Sequence, residues 1–540
     1  MTQSDTRRLE SLMREAHARN YSRRDLVRRA AALGVTLPAA NLMLGGVTGA
    51  MAQETEPTGK IVLAMTVEPD TLENWRAYST DGHPVLRNIQ EALLNRDPVT
   101  NELVGELATS WEQTDDVTWR FHLREGVTFH NGEAFNAEVA AFGINYTWSP
   151  ENNFQIYQYV GPDMTATAID EYTIDVVTEA PDPILPSRLY FSPLPSKKQV
   201  EEEPDTLPDN PIGTGPYIFK EWNRGQYILM EANPDWWGHT AEDAHGAVTI
   251  KEAEWVFRGE SSVRASMVVT GEAQFARFLA PEDNETTPQP KTASSVETIF
   301  LRLDTMHPAM SDIRIRQAIG EAVDKQGIAD QLFGGGEPAS QLVGPSATGY
   351  NEELEPYPYD MDHAKQLVEE AAADGVDISA PINVVTRQGI YLRNDEFAEY
   401  VANQLNEIGL TASSEVIEIA QYNEQFDVNF HDVPEDRGWI ATNPHGNEIM
   451  DVSSTAQAYY SCDGGSSTYC NPELDEALDA AIPLTGEERE AALADVTRMY
   501  YEDYGSIPVI HMPLNYGLAA ELTWEPRLDG FILLKEMKLG

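Results

Sequence analysis

The residue types that could carry out chemistry in this chain do not stand in the patterns that common enzymes use. Neither Gly-x-Ser-x-Gly nor His-Glu-x-x-His occurs, so the usual serine hydrolase and zinc protease signatures are missing. Gly213-Thr214-Gly215-Pro216 lacks the Gly-Lys-Ser/Thr ending of a phosphate-binding loop and is interpreted as a turn. Adjacent acids such as Glu201-Glu202-Glu203 arise by chance among 88 acidic residues and do not indicate a glycosidase. We therefore predict that the protein is not an enzyme and needs no cofactor, with a secreted hydrolase as the remote alternative.

The two cysteines of the chain, Cys462 and Cys470, flank a short segment rich in glycine and serine. In an oxidising compartment such a pair is expected to form one disulfide, and closing so short a loop contributes roughly 2 to 3 kcal/mol. A zinc site would need four ligands, and neither a second cysteine pair nor a pair of closely spaced histidines lies nearby. We predict a disulfide and no metal ion.

The first 52 residues resemble a twin-arginine export signal. Arg23-Arg24 is followed by the apolar Leu26 and the basic Arg28, a weakly apolar run starts at Ala30, and Ala50-Met51-Ala52 offers a small-x-small cleavage site. This pattern implies export of the folded chain by the twin-arginine translocase, cleavage after Ala52, and a periplasmic or extracellular location. An uncleaved amphipathic anchor is the alternative.

The charge of the chain restricts its partners. It carries 88 acidic and 37 basic residues, a formal net charge of −51. Phosphate binding requires clustered Lys and Arg, so nucleic acid is excluded as a partner. The acids are spread along the chain, which predicts a well-solvated surface and a monomer. Removal of the signal leaves 540 − 52 = 488 residues, enough for about three domains or two large lobes.

The patterns of apolar residues differ between the two halves of the chain. In the first half they alternate and predict strands at 60–67, 118–123 and 173–177. An apolar helix is expected near 85–94, and Asn136 is predicted to cap a helix starting at the next residue.

The second half predicts a βαβ unit. A strand at 382–386, a helix at 395–408 and a strand at 410–418 follow one another. Ligands of open α/β sheets bind beyond the carboxyl ends of the strands. Arg387 and Tyr391 occupy that edge.

Several segments, in the same order, resemble the extracytoplasmic solute-binding proteins of ABC importers in the peptide, dipeptide and nickel group, family 5. The segments are Glu68–Leu72, Glu91–Leu94, Leu107–Glu112, Trp119–Gly132, Gly213–Tyr217, Asn233–Trp237 and Asp312–Ile319. The resemblance covers essentially all of residues 57–540.

This resemblance implies an α/β fold with the two lobes and hinge of periplasmic binding proteins, and with an extra β-rich subdomain inserted in the first lobe. The implied division is 57–90, 210–297 and 513–540 for lobe I, 91–209 for the subdomain, and 298–512 for lobe II. The expected function is that of a solute receptor that closes on its ligand and delivers it to an ABC permease and ATPase complex. A ligand that touches both lobes shifts the open and closed populations by its differential affinity. A signalling receptor of the same fold is an alternative.

Candidate ligand residues come first from two segments. The loop after the first strand faces the cleft in similar proteins, and here it contains Tyr78, Ser79, Thr80, Asp81 and His83. The second segment contains Arg387 and Tyr391, and in dipeptide-binding relatives an arginine in a similar segment holds the ligand carboxylate through bidentate bonds. A surface ion pair is the alternative for Arg387.

A third segment departs from the pattern of peptide binders. Gly438-Trp439 matches the family, but Ala441, Thr442 and Asn443 stand where peptide binders usually have an aspartate that pairs with the peptide amine. The next carboxylates belong to Glu448 and Asp451, and Asp451 is retained as a candidate ligand residue.

Trp439, Thr442 and Asn443 also leave the class of ligand open. Trp439 could stack on a ligand ring or pack in the core, and the neutral Thr442 and Asn443 suit the hydroxyls of a sugar. Oligopeptides or dipeptides are the leading ligands, and an oligosaccharide or another polar solute is the alternative. A nickel complex is less favoured, because it would need His83, His431 and His445 to converge.

Overall fold

A mixed sheet of eleven strands runs through most of the computed structural model. The structure describes residues 56–73, 75–76, 81–152, 154, 163–241, 243, 246–388, 390–418, 421–422 and 438–540. Residues Pro57–Gly540 form one compact unit. The predicted export signal and its cleavage site at Ala52 lie outside the described residues.

The strands are β1 (Thr58–Met65), β2 (Leu94–Arg96), β3 (Leu103–Gly105), β4 (Ala108–Asp115), β5 (Thr118–Leu123), β6 (Met164–Asp170), β7 (Thr173–Thr178), β8 (Tyr217–Asn223), β9 (Tyr227–Ala232), β10 (Ile250–Phe257), β11 (Phe275–Arg277), β12 (Gln289–Leu303), β13 (Glu337–Pro338), β14 (Ile382–Arg387), β15 (Ala412–Ile417), β16 (Trp439–Gly446), β17 (Ser506–Leu518), β18 (Leu522–Thr523) and β19 (Lys538–Leu539). The large sheet has the order β15-β14-β16-β12-β17-β11-β1-β10-β9-β8, with β13 paired to β17. A four-stranded antiparallel sheet has the order β4-β5-β7-β6, and β2 with β3 and β18 with β19 form separate pairs.

The α-helices are α1 (Gly82–Leu86), α2 (Ala137–Thr147), α3 (Leu185–Phe191), α4 (Lys197–Glu202), α5 (Ser261–Thr270), α6 (Pro281–Asn284), α7 (Ile313–Ala322), α8 (Lys325–Ile328), α9 (Met361–Ala373), α10 (Asn394–Glu407), α11 (Val452–Tyr459), α12 (Pro472–Ala481) and α13 (Gly486–Glu502). Asn136 caps α2 through a bond from the Val139 N–H to its side chain, as predicted. No helix among these described segments is long and apolar enough to cross a bilayer.

The predicted βαβ unit is confirmed by β14, α10 and β15. Strand β14 pairs in parallel with β15 on one side and with β16 on the other. Helix α10 buries Phe397, Val401 and Leu405 against the sheet, because apolar residues recur on one of its faces. The three parallel strands therefore end at the same edge.

Three large apolar cores lie along the sheets. The first combines residues from 61–89, 217–275 and 514–537. The second is built mainly from 93–207, and the third lies within 299–512.

Two long strands connect the first core with the third. Strand β17 contributes Leu514 to the first core and Ile507 to the third. It pairs with β12 along most of its length, with register shifts between Ser294 and Thr298 and between Ile299 and Phe300. A β-bulge bends a strand locally, so these shifts mark the place where the two halves of the sheet can bend relative to each other.

The predicted disulfide joins Cys462 and Cys470. The loop that it closes lies against the end of β12, because the Thr468 hydroxyl donates to the Leu303 carbonyl at 2.7 Å. Leu303 lies opposite Ile440, so the disulfide holds a loop next to the sheet edge at which β14 and β16 begin.

Candidate functional site

Five side chains lie near the carboxyl end of β14 and the middle of β16, on both faces of the sheet, and we call them the strand-end cluster. They are Arg387, Tyr391, Tyr422, Thr442 and Asn443. Strand β14 runs parallel to β16 with Val385 opposite Ala441. Continuing this register by two residues, beyond the last paired residues, places Arg387 and Asn443 on the same face of the sheet.

Arg387 is half-buried and has no carboxylate partner in the described part of the chain. Its guanidinium carbon lies 4.6 Å from the centre of the Tyr422 ring, a distance at which the ring face attracts a cation. Its Nε atom is buried and makes no hydrogen bond. The guanidinium is thus held in place by a neutral ring and retains its capacity for an anion.

Two further buried hydroxyls belong to the cluster. The Tyr391 hydroxyl is close to those of Thr386 and Thr442, but neither Tyr391 nor Thr442 makes a hydrogen bond of normal geometry with any described residue. Burial raises the pKa of Tyr391, so this side chain stays protonated and can donate. Buried polar atoms without partners are rare in folded proteins and call for an explanation.

Two buried aromatic residues pack at this place, Tyr422 in the cluster and Trp439 next to it. The Tyr422 hydroxyl donates to the Asn443 side-chain oxygen. Trp439 is only 4% exposed and packs with Val385 and Tyr422, while the guanidinium carbon of Arg302 lies 4.9 Å from the centre of its ring. Stacking of Trp439 on a ligand stays a prediction, and its burial favours the packing alternative.

A second group of polar residues lines a small cavity of about 20 Å³, close to the size of one water molecule, between β11, β12 and the loops around them. We call it the hinge cavity, and its polar and aromatic lining consists of His83, Arg277, Glu297, Glu448, Asp529 and Phe531. Asn443 lies opposite Phe300, and Gly446 lies opposite Glu297. These positions are three residues apart on the strand pair, so the hinge cavity begins about 10 Å along it from the strand-end cluster.

Asp81 and His83 stand on the first-core side of this cavity. One Asp81 oxygen accepts the backbone N–H groups of Thr66 and Val67 at 2.8 and 2.6 Å, and the other lies 3.5 Å from Arg277. His83 stacks on Phe191 with 4.8 Å between ring centres. Burial, together with the charge of Arg87, keeps the pKa of His83 well below its usual value, so the ring is neutral.

Glu297 and Glu448 face the same cavity from the other side, and Glu448 pairs with no basic side chain of the described residues. Burial raises the pKa of Glu448 to about 7, and the charges of Glu297 and Asp529 act in the same direction. Burial also raises the pKa of Glu297, against the opposing charge of Arg277. Two carboxylates in one cavity are costly to ionise together unless a cation joins them.

Asp451 is placed differently from the other candidates. Its two oxygens accept bonds from Arg489 at 2.8 and 3.1 Å, and it also caps α11 through the Ser453 N–H. A role of Asp451 in ligand binding stays a prediction, and its partners leave it little capacity for a ligand.

The remaining candidates add little to the site. Tyr78, Ser79, Thr80 and His431 lie outside the described residues. His445 bonds to the Thr455 hydroxyl at 2.7 Å, and no group of three or more potential metal ligands occurs in the described ranges.

Sequence reasoning missed Tyr422 and Glu297. No motif marks Tyr422, which lies well before Trp439 in the chain and meets Arg387 only through the sheet. Glu297 could have been suspected as a charged residue inside an otherwise buried strand.

Comparison with known proteins agrees with the family that the sequence motifs resemble. Residues 102–461 match the sequence model described as bacterial extracellular solute-binding proteins, family 5 Middle. The glutathione-binding protein GsiB of Shigella flexneri serotype 5b (strain 8401) is 23% identical over 479 residues, which cover 85% of this chain and 88% of GsiB. Heme-binding protein A of Haemophilus influenzae is 25% identical over 473 residues, which cover 80% of this chain and 82% of that protein.

A solved structure shows the same fold. The periplasmic binding protein DppA from Helicobacter pylori, in complex with the peptide STSA, superimposes with a TM-score of 0.75 at 21% identity, covering 89% of this chain and 98% of DppA. The match to the family model spans well over half of the chain. The chain therefore belongs to family 5 of the bacterial extracellular solute-binding proteins, which are receptors of ABC importers.

Proposed function

We propose that the protein binds short peptides outside the cytoplasm and delivers them to an ABC permease and ATPase complex. The observation that carries the proposal is Arg387 in the strand-end cluster, whose Nε is a buried donor without a partner and which is matched by no carboxylate among the described residues. A carboxylate accepts several hydrogen bonds at once and matches the guanidinium in charge and shape. The C-terminal carboxylate of a peptide is such a group.

The hinge cavity contains the acidic side chains that could pair with the ammonium group of a peptide. Glu448 is acidic and pairs with no described basic side chain, and Glu297 shares the cavity with Arg277 alone among basic residues of the lining, so an ammonium group would relieve the cost of ionising both acids. About 10 Å of strand separates the two places, and an extended chain spans at most 3.3 to 3.6 Å per residue. A peptide of about three residues is therefore a suitable size.

Peptides also agree with the ligands named for similar proteins. GsiB is named as a glutathione-binding protein, and the DppA structure holds a peptide. Asn443, which could have suited a sugar hydroxyl, uses its side-chain oxygen to accept the Tyr422 hydroxyl.

The cores support the division into lobes made from the sequence. The first and second cores correspond to lobe I with its inserted subdomain, and the third core corresponds to lobe II. Strands β12 and β17 join the lobes, and the hinge cavity has walls from both. We propose that ligand binding favours the closed arrangement of the lobes. We also propose that the protein is an exported monomer whose twin-arginine signal is cleaved after Ala52.

The proposal is tested by titration calorimetry with trialanine and two blocked forms of the same peptide. We expect binding of trialanine and a loss of tenfold or more in affinity when either the C-terminus is amidated or the N-terminus is acetylated, because each change removes one charge. Cellotriose and a nickel–histidine complex serve as comparison ligands for the sugar and metal alternatives. Equal affinity for all three peptides, or binding of only the sugar or the metal complex, would contradict the proposal.

A further inference from the structure

We propose that Tyr422 and Asn443 determine anion specificity by keeping the Arg387 guanidinium oriented but electrically unmatched. This inference rests on the proposed function, in which Arg387 receives the ligand carboxylate. It concerns two residues that do not need to touch the ligand, so they are positioning residues.

Tyr422 fixes the guanidinium without neutralising it. Its ring centre lies 4.6 Å from the guanidinium carbon, and its own side chain is 2% exposed. The ring packs on Trp439, Val385 and Ile417, so it cannot turn away without opening this apolar cluster. A guanidinium held on a ring face keeps the edge of its plane, which carries the N–H donors, available for an anion.

Asn443 supplies the second part of the arrangement. It follows the Ala441 position that pairs with Val385 and therefore lies on the same face of the sheet as Arg387. Its side chain is 5% exposed and accepts the Tyr422 hydroxyl. The amide thus holds the tyrosine by a hydrogen bond while adding no charge beside the guanidinium.

The neutrality of Asn443 has a direct consequence. A carboxylate of the same size, on the same face as Arg387 and bonded to the tyrosine on which the guanidinium rests, would attract the guanidinium and compete for it. The arginine would then be matched within the protein, and a ligand carboxylate would have to compete with it. Anion binding would fall while the ligand-free fold gained an interaction.

The test uses Asn443→Asp in the full chain, alone and combined with Arg387→Gln, followed first by thermal unfolding without ligand. We expect Asn443→Asp to raise the unfolding midpoint by about 1 to 2 °C relative to its effect in the Arg387→Gln background, because only the first background can form the ion pair. Absence of this coupling would overturn the inference, whatever the natural ligand is.

The second arm measures the affinity ratio between trialanine and its C-terminal amide. Asn443→Asp and Tyr422→Leu are expected to reduce this ratio about tenfold. The controls are Tyr422→Phe, which keeps the aromatic ring, and Asn443→Leu, which keeps position 443 neutral. Each control should change the ratio less than about threefold. A general folding defect would weaken both peptides equally and leave the ratio unchanged.

The two arms separate this inference from the proposed function. If the wild-type protein does not distinguish trialanine from its amide but the thermal coupling is present, Arg387 does not bind the ligand carboxylate. The inference that Tyr422 and Asn443 orient the guanidinium without neutralising it then stands. If the wild-type protein distinguishes them and Asn443→Asp leaves the ratio unchanged, the inference fails and the proposed function stands.

Discussion

Two arginines of this protein are held in opposite ways. Arg527 is 2% exposed and forms ion pairs with Asp529 at 2.6 Å and with Glu536 at 2.7 Å. Arg387 is half-buried and rests on the ring of Tyr422, with no carboxylate partner among the described residues. Removing one partner of a buried ion pair leaves the other charge buried without a partner, whereas a charge that has no partner in the protein can bind a ligand. Charge matching therefore separates residues that hold the fold from those that can bind.

The same contrast occurs between two acids that are close in sequence. Asp451 is 2% exposed and is matched by Arg489, while Glu448 faces the hinge cavity without such a partner in the described chain. Replacing each acid by its amide tests the contrast directly.

The largest effect is expected for Asp451→Asn. This change leaves the buried Arg489 charge without its partner and weakens the cap of α11, so we expect a loss of about 3 to 5 kcal/mol in the free energy of unfolding. Denaturant unfolding measures it, with Glu448→Gln as the matched control that should be neutral or slightly stabilising. Equal destabilisation by both variants would show that matching does not distinguish them.

The next effect concerns binding rather than stability. Arg387→Gln should weaken trialanine binding by about 2 to 5 kcal/mol, because the ligand carboxylate would be buried without its partner. Its free energy of unfolding should change by less than about 0.5 kcal/mol, because no ion pair is lost. Calorimetry and denaturant unfolding measure the two quantities, and Arg120→Gln, which breaks an ion pair with Asp175 on the small sheet, is the control with unchanged affinity. Unaltered binding in Arg387→Gln would place the carboxylate elsewhere.

The third effect is a pH dependence that arises from Glu448. Its pKa rises from 4.5 to about 7 on folding, so between these values the folded protein holds a proton that the unfolded chain has lost. The free energy of unfolding must therefore fall as the pH rises through this window. We expect wild-type protein to lose about 1 to 3 kcal/mol more than Glu448→Gln between pH 5 and pH 8, with the remaining acids common to both.

The same proton provides a measurement on binding. If an ammonium group pairs with Glu448, binding near pH 6 should release up to about one proton, and binding near pH 8.5 should release almost none. Calorimetry in buffers of different ionisation enthalpy counts the protons. Identical counts in wild-type protein and Glu448→Gln would remove Glu448 from the amine site.

The smallest effect is expected for an exposed contact between the ranges proposed for the two lobes. Arg393 pairs with Glu282, with 25% and 59% of the side chains exposed. Exposed ion pairs contribute little, so Glu282→Gln should change stability by less than about 1 kcal/mol and affinity by less than about threefold. A larger loss of affinity would show that this contact helps to hold the lobes closed.

The sequence predicted local features well and long-range charge pairing poorly. The βαβ unit and the position of Arg387 at its edge follow from apolar periodicity and the geometry of parallel sheets. The helix expected near 85–94 ends at Leu86 instead, because the carbonyls of Asn88 and Ile89 accept bonds from the 215–217 segment. A single sequence cannot show such a partner.

The same limit applies to the candidate site. Asp451 was proposed as a ligand residue because it was one of the next two acids after Trp439, and its pairing with Arg489 depends on how α13 packs. Tyr422 and Arg387 likewise meet only through the sheet. Residue type and order are readable from sequence, whereas whether a charge is matched depends on contacts between distant segments.

The position of β17 also affects how the chain can be made. This strand lies between β12 and β11 in the sheet, yet Ser506–Leu518 is synthesised long after both of them. Before it is synthesised, the two halves of the sheet expose unpaired edges at β12 and β11, and open edges are prone to pair with other chains. A nascent chain of this protein must therefore be kept from aggregating until β17 has been translated, and this one strand then completes both halves of the sheet at once.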